Sequence, residues 1–102
     1  MMKVYIAGAI SGQDPDVVEK KFAKAVQFLK SKNFAVLNPM KIVGNPHCSS
    51  RTAMKILIPL LLQCDAIYLL TDWKFSEGAQ IEASLARYTG MKIMHEEDFN
   101  NN

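Results

Sequence analysis

The sequence has too few cysteines and histidines for a disulfide framework or a zinc site. It holds two of each among 102 residues, and the spacing of Cys48 and Cys64 is not that of a metal-binding motif. His47 and Cys48 are adjacent, but two neighbouring side chains fall short of the three or four protein ligands that zinc takes. We therefore predict no metal site and no cofactor.

Strong net charge and long apolar runs are also absent. A net charge of +2 is too small to indicate nucleic-acid binding, and the lysines of residues 20–32 recur between apolar positions, as on a solvated helix face. The apolar run at residues 4–10 is too short to span a membrane, and it leads into Ser11 and Gly12, which is typical of a buried strand rather than a signal peptide. We expect a cytoplasmic protein with a single domain over residues 1–102 and no nucleic-acid or membrane partner.

Short apolar runs alternate with amphipathic stretches along the whole chain. The apolar runs predict four strands, and the stretches with helical periodicity predict three helices between them. Asp14 and Pro15 form a typical helix start, and Pro59 is expected to kink or split the helix that contains it. The predicted strands are residues 3–8, 34–37, 65–71 and 91–95, the predicted helices are residues 14–33, 51–63 and 76–90, residues 40–50 form a loop, and residues 96–102 fray.

This alternation predicts a single-domain α/β fold with helices on both faces of a parallel sheet. Right-handed crossovers favour the strand order 2-1-3-4, which is the Rossmann-like (flavodoxin-like) three-layer sandwich. Ligands bind such folds at the carboxyl edge of the sheet, where the loops after the first and third strands diverge. Residues 8–12, Asn38 and residues 72–82 all follow a strand at that edge. We therefore predict one ligand site built from three segments.

The last predicted helix carries an acidic residue where an apolar one is expected. On a helical wheel Glu82 falls in the middle of the apolar arc, between two apolar sectors. A carboxylate directed at the core is costly unless it is paired or lies in a cleft, so Glu82 either has a functional role or bonds a buried backbone group. The two sectors are Ala79, Ala83, Ala86 and Gly90 on one side, and Ile81, Leu85 and Tyr88 on the other.

Two motifs resemble those of a known superfamily. The segment Tyr5-Ile6-Ala7-Gly8-Ala9-Ile10-Ser11-Gly12 and the spacing Ser76-x-Gly78-x-x-x-Glu82 resemble the nucleoside 2-deoxyribosyltransferase-like proteins, a group that includes the deoxynucleoside-monophosphate N-glycosidases. The resemblance extends over nearly the whole chain. Further segments are similar to a small branch of the superfamily from bacteria and phages: Cys64-Asp65-Ala66-Ile67, Trp73 and Ser76-Glu77-Gly78-Ala79.

The resemblance implies roles for several residues. Glu82 matches the nucleophile that attacks the anomeric carbon of the deoxyribose and forms a covalent glycosyl-enzyme. Ser76, which is also a natural N-cap, and the backbone N–H of Gly78 would hold a 5′-phosphate or 5′-hydroxyl at the helix start. Trp73 would either stack on the base or cover the helix end. The residues expected to line the sugar-phosphate are Gly8, Ile10, Ser11, Gly12 and Asn38.

The sequence departs from the superfamily pattern in two places. Active relatives carry an Asp in the helix before the third strand, but that position holds Leu57, and residues 51–63 contain no acid. Because retaining glycosyl transfer uses a second carboxyl group, Asp72 is the best substitute acid, although it could instead cap a turn. The chain also ends soon after the fourth predicted strand, before the segment that relatives lend to a neighbouring site.

These observations support three hypotheses about function. The first is an N-glycosidase or deoxyribosyltransferase that acts on a 2-deoxynucleoside or its 5′-monophosphate. The second is a non-catalytic nucleotide-binding module that has lost the acid of the family. The third is an assembly protein built on the segment Ile56–Leu62, which is apolar on all sides. We also expect a homo-oligomer, most simply a dimer, through the helix that contains this segment.

Overall fold

A four-stranded parallel sheet forms the centre of the molecule. The computed structural model describes residues 1–44 and 48–99, and its strands lie in the order β2-β1-β3-β4. This confirms the predicted α/β class, the Rossmann-like topology and the strand order. The strands are β1 (Lys3–Ala7), β2 (Ala35–Leu37), β3 (Ala66–Leu69) and β4 (Lys92–His95).

Because the paired strands are parallel, their carboxyl ends meet at one edge of the sheet. Ala7, the last residue of β1, lies opposite Leu69, the last residue of β3. Leu69 in turn lies opposite His95, the last residue of β4. The loops after β1 and β3 therefore leave the sheet side by side, at the edge where a ligand site is expected.

Helices connect the strands, and their ends follow local sequence signals. The side chain of Asp14 accepts the N–H of Asp16 at 2.9 Å, Pro15 occupies the first turn, and Asn33, just past the end of this helix, has a φ of 66°. Both predicted ends of the first helix are thereby confirmed. The described helices are α1 (Pro15–Ser31), α2 (Pro39–Val43), α3 (Ser50–Leu61) and α4 (Glu77–Tyr88), with 3₁₀ turns at Trp73–Phe75 and Glu96–Phe99. Over residues 1–44 and 48–99, these helices lack the combination of length and apolarity needed to span a bilayer.

The sheet separates two apolar cores, because successive strand residues face opposite sides. One core lies between the sheet and α1, and the other between the sheet and the pair α3 and α4. The α1 core consists of Val4, Ile6, Val18, Phe22, Ala25, Leu29, Ala66, Tyr68, Leu70 and Met94. The opposite core consists of Tyr5, Ala7, Leu37, Leu57, Leu61, Cys64, Ile67, Leu69, Ala79, Ala83 and Ala86.

One local prediction about the middle of the chain is wrong, and of the two effects expected of Pro59 only the split is excluded. Residues 40–50 are not all loop, because Asn38 accepts the N–H of Met40 at 3.0 Å and caps α2, which ends at Gly44 with a φ of 67°. Pro59 does not split α3, which runs unbroken to Leu61. Only two helical residues follow this proline, so the backbone bond that it removes lies near the end of the helix.

The segment after β4 is more ordered than predicted. Instead of fraying, residues 96–99 form a 3₁₀ turn. The ring of Phe99 packs against Phe28 and Tyr68, with centroid distances of 5.2 and 6.2 Å. The Glu96 carboxylate accepts the backbone N–H of Thr71 at 3.0 Å. Residues 100–102 and His47, which we considered as a metal ligand, lie outside the described residues.

Gly8 is required by packing, which gives a first prediction. A Cβ at this position would lie 2.6 Å from Cδ1 and 2.9 Å from Cβ of Leu70, a fully buried residue. We expect Gly8→Ala to lower the free energy of unfolding by about 1–3 kcal/mol, the usual cost of overpacking. Gly78→Ala is the matched control, because its nearest neighbour would be the flexible Met54 side chain at an ordinary 3.6 Å. Urea denaturation of both variants tests this, and equal midpoints would contradict the packing argument.

Candidate active site

Glu82 lies in the core between the sheet and α4, and it is the one acidic side chain buried in the described residues. Only 6% of it is exposed. The hydroxyl of Tyr5, a fully buried residue of β1, donates a hydrogen bond to its Oε2 atom. No other described group donates a hydrogen bond to this carboxylate, so Oε1 is without a donor in the described structure. The alternative of a bond to a buried backbone group does not apply to the described residues.

Burial sets the protonation behaviour of this pair. Desolvation raises the pKa of Glu82 to about 7, although the hydrogen bond from Tyr5 acts in the opposite direction. Desolvation, followed by the charge of Glu82, raises the pKa of Tyr5 well above its usual range. Near neutral pH Glu82 therefore exists in both protonation states, while Tyr5 remains a hydrogen-bond donor. A carboxyl group poised in this way is typical of a reactive site.

The start of α4 presents free backbone donors on the same side of the helix as Glu82. The hydroxyl of Ser76 accepts the N–H of Ala79 at 3.2 Å, as predicted for an N-cap. In the described structure the N–H groups of Glu77 and Gly78 remain without a partner, as is usual in a first turn. Gly78 and Glu82 are four residues apart and so lie on one face. A ligand bound at the helix start would therefore lie one turn from the carboxylate.

The surroundings of Asp72 differ from those expected of a general acid. Its Oδ2 atom lies 2.5 Å from the ammonium group of Lys21, and its Oδ1 atom accepts the N–H of Ala9 at 3.1 Å. Burial raises the pKa of Asp72, but the bonds from Lys21 and Ala9 and the charge of Lys21 outweigh it, so the net pKa is lowered. A general acid near neutral pH needs a raised pKa. The setting of Asp72 therefore favours a permanently ionised carboxylate that holds two loops together.

The contacts of Asp72 also fix the start of the loop after β1. Gly8 and Ala9 lie against Leu70 and Asp72, so the loops after β1 and β3 are in contact as predicted. Beyond them, Ile10, Ser11 and Gly12 are exposed, and Gly12 has a φ of 77° in open space. These three residues are free to contact a ligand.

The remaining predicted site residues have structural partners. The side-chain oxygen of Asn38 caps α2, as described above. The half-buried ring of Trp73 packs against the ring of His95 at a centroid distance of 6.2 Å, and the ammonium group of Lys74 lies 6.0 Å from its centre. Covering the helix end is therefore one role of Trp73. Neither Asn38 nor Trp73 contacts Glu82 through a hydrogen bond within the described residues.

Sequence reasoning missed two residues that hold the site together. Tyr5 was treated as one of several apolar strand residues, although the two-residue period of β1 places it on the same face as Ala7. Lys21 was assigned to a solvated helix face. It lies three residues after Val18 and four before Ala25, both buried, so its helical spacing places it beside the buried stripe.

Neither a surface depression nor a group of metal-binding side chains among the described residues marks the position of the candidate site around Glu82. A depression of about 550 Å³ lies between α1, β2 and α2, and includes Asn38 and Lys41 but not Glu82. In the part of the chain that the structure describes, no three His, Cys, Asp or Glu side chains are grouped as metal ligands would be. The buried carboxylate and its partners remain the chemical feature that marks the site.

Comparison with known proteins identifies a family. Residues 2–95 match the family model DUF4406, described as a domain of unknown function. The chain belongs to this family. No curated protein matches the DUF4406 chain. Among solved structures it is similar to the CMP N-glycosidase BcmB of Clostridium botulinum, with a TM-score of 0.60 and 19% sequence identity. The match covers 97% of this chain and 75% of that chain, and at this identity it supports the fold alone.

The raised pKa of Glu82 predicts how stability depends on pH. The folded state holds this proton more tightly than the unfolded state, whose pKa is about 4.5. The protonated Glu82 side chain therefore contributes about 3 kcal/mol to the free energy of unfolding. This contribution is fully present below pH 4.5 and is lost as the pH rises to about 7. Glu82→Gln removes the titration and keeps an acceptor for Tyr5. We expect its stability relative to wild type to increase between pH 5 and pH 8.

Chemical denaturation at several pH values measures this difference. Glu77→Gln, on the exposed side of the first turn of α4, is the matched control, and its difference from wild type should change little over the same range. A constant difference between wild type and Glu82→Gln from pH 5 to pH 8 would show that Glu82 is not a buried carboxyl with a raised pKa.

Proposed function

We propose that this DUF4406 protein breaks or transfers the N-glycosidic bond of a 2-deoxynucleoside or its 5′-monophosphate, with Glu82 as the nucleophile. The observation that carries the proposal is the buried Glu82 carboxylate, bonded to Tyr5 and one helical turn from the free donors at the start of α4. The motifs shared with the nucleoside 2-deoxyribosyltransferase-like proteins support it. The fold that the chain shares with a CMP N-glycosidase supports it as well.

In the proposed reaction, Oε1 of ionised Glu82 attacks the anomeric carbon of the sugar. The carbon–nitrogen bond breaks, and the base leaves with its electron pair and takes a proton from water. The resulting glycosyl ester is then cleaved by water, or by a second base in a transfer reaction. The Tyr5 hydrogen bond fixes the orientation of the carboxylate and lowers its pKa, which increases the ionised fraction at neutral pH.

The loops supply binding for the rest of the substrate in this proposal. The N–H groups of Glu77 and Gly78 and the hydroxyl of Ser76 would bind a 5′-phosphate or 5′-hydroxyl, helped by the positive end of the α4 dipole. The exposed residues of the first loop, 10–12, would contact the sugar. The exposed part of Trp73 would lie beside the base.

A non-catalytic nucleotide-binding module is the second candidate, because neither position considered for the second carboxyl group supplies a free acid in the described structure. Leu57, at the position where active relatives carry Asp, is buried in the apolar core. Asp72, the substitute acid considered from the sequence, is held ionised by Lys21. A module of this kind would bind nucleotides and release no base.

Detection of free base by chromatography tests the proposed reaction. A panel of deoxynucleosides and their monophosphates is incubated with wild type, Glu82→Gln and Tyr5→Phe. We expect base release by wild type, loss of turnover in Glu82→Gln, and about tenfold slower release at pH 7 in Tyr5→Phe. Since Tyr5 lowers the pKa of Glu82, the acidic limb of the rate profile should move to higher pH in Tyr5→Phe.

One control variant and two contrary outcomes make the experiment decisive. Glu19→Gln should retain turnover, because this exposed side chain of α1 lies outside the proposed site. Full activity in Glu82→Gln would exclude Glu82 as the nucleophile. Saturable nucleotide binding by wild type without base release, even at high enzyme concentration, would replace the proposed reaction with the binding module.

We also propose that the chain forms a homodimer through the outer face of α3. Leu57 and Leu61 face the core, whereas Ile56 and Leu62 are 44% and 46% exposed. Ile81 and Tyr88 of α4, the helix in contact with α3, are exposed as well. Exposed apolar side chains on adjacent helices are the kind of surface that a subunit contact would cover.

Light scattering of Leu62→Glu tests the dimer. The introduced charge would be buried in the interface, so we expect wild type to behave as a dimer and the variant as a monomer with an unchanged fold. Val17→Glu is the control, because Val17 is an exposed apolar residue, 56% against 46% for Leu62, on the opposite side of the sheet in α1. A monomeric wild type at high concentration would contradict this proposal.

A further inference from the structure

One side chain joins the two loops at the carboxyl edge of the sheet. The ammonium group of Lys21, in α1, lies 2.5 Å from Oδ2 of Asp72, 2.7 Å from the carbonyl oxygen of Ala9 and 3.2 Å from Oε1 of Gln13. An ammonium group has three donors, and here each has an acceptor. Lys21 therefore binds the loop after β1 at two points and the loop after β3 at one.

Asp72 also bonds Ala9, so that Lys21, Asp72 and Ala9 are all joined to one another by hydrogen bonds. Its second oxygen accepts the N–H of Ala9 at 3.1 Å, so both backbone polar groups of Ala9 are bound, one by each member of the ion pair. The next residues of the loop, 10–13, are all exposed, and burial does not hold them. The direction in which this loop leaves the sheet is thus set by Ala9 and by the bond to Gln13.

The Lys21–Asp72 ion pair adds little to the free energy of unfolding. Its larger effect is on the position of the loop after β1. The side chains of Lys21 and Asp72 are 21% and 25% exposed, and partly buried pairs of this kind lose in desolvation much of what they gain in attraction. Displacement of a binding loop by about 1 Å can nevertheless reduce a reaction rate roughly 100-fold. The arrangement is better suited to fixing a loop than to holding the fold together.

We propose that Lys21 is a positioning residue, which acts through Ala9 and Asp72 to hold the first loop, residues 8–13, over the sugar of the substrate. This role rests on the proposed glycosyl chemistry of Glu82. It also assigns a function to Asp72 other than proton donation: Asp72 is the ionised anchor of the loop. The ion pair leaves the reacting carboxylate untouched, since Glu82 is bonded to Tyr5 from the opposite core.

Steady-state kinetics and amide hydrogen exchange of Lys21→Met test the proposal. Methionine keeps the length and apolar stem of the side chain and removes its three donors. We expect kcat/KM to fall roughly 10- to 100-fold, and the Ala9 amide to exchange about tenfold faster. Lys24→Met, an exposed lysine of the same helix, should change neither.

The double variant Lys21→Met with Asp72→Asn separates positioning from stability. Asparagine can still accept the N–H of Ala9 and leaves no unpaired carboxylate, so the thermal midpoint should recover toward wild type. The value of kcat/KM should remain low, because the bonds from position 21 to Ala9 and Gln13 are still missing. Recovery of both quantities would mean that Lys21 serves stability alone and would overturn the proposal.

Failure of this proposal is distinguishable from failure of the proposed reaction. An active wild type with Lys21→Met within about threefold of it, or with unchanged exchange of the Ala9 amide, would refute positioning by Lys21 while leaving Glu82 as the nucleophile. A wild type that releases no base from any substrate would refute both the reaction and the role of Lys21 in it, whereas the exchange data would still show whether the ion pair holds the loop.

Discussion

The hydrogen bond from Tyr5 to Glu82 joins the central strand to the last helix inside an otherwise apolar layer, and it constrains both elements. A buried carboxylate without a donor would be costly, so β1 must present position 5, and not position 4 or 6, to the side of α4. The helix must approach the sheet closely, and the small side chains Ala79, Ala83 and Ala86 allow it to do so. The face of β1 on which position 5 lies, the rotation of α4 about its axis and the distance between α4 and the sheet therefore all depend on this one hydrogen-bonded pair.

The two carboxyl groups of the site region differ because their surroundings differ. Desolvation raises the pKa of Glu82 to about 7, whereas bonds from Lys21 and Ala9 keep the pKa of Asp72 below its usual value. Opposite pKa shifts of two carboxyl groups are a common way to divide roles within an active site. Here the ionised group organises the loops, which leaves Glu82 as the group available for chemistry in the proposed reaction.

The topology and the burial of Glu82 could be predicted from the sequence because both depend on periodicity. Strand order followed from the alternation of elements, and the wheel of the last helix directed Glu82 to the core. The partners of Glu82 and Asp72 could not be predicted, because Tyr5–Glu82 and Lys21–Asp72 are contacts between residues distant in sequence. Asn38 shows the same limit. Its position at the sheet edge was predicted, but its use as the cap of α2 depends on a local hydrogen bond to the N–H of Met40.

The packing of Phe99 has a practical consequence for handling the protein. Its ring rests on Phe28 of α1 and Tyr68 of β3, both on the α1 side of the sheet, whereas Glu82 and the outer face of α3 belong to the other side. Phe99, the last described residue, therefore lies on the side of the sheet opposite Glu82. A fluorophore, affinity peptide or surface-attachment linker joined after this turn would begin behind the sheet, where it leaves the proposed substrate site and the proposed dimer surface open.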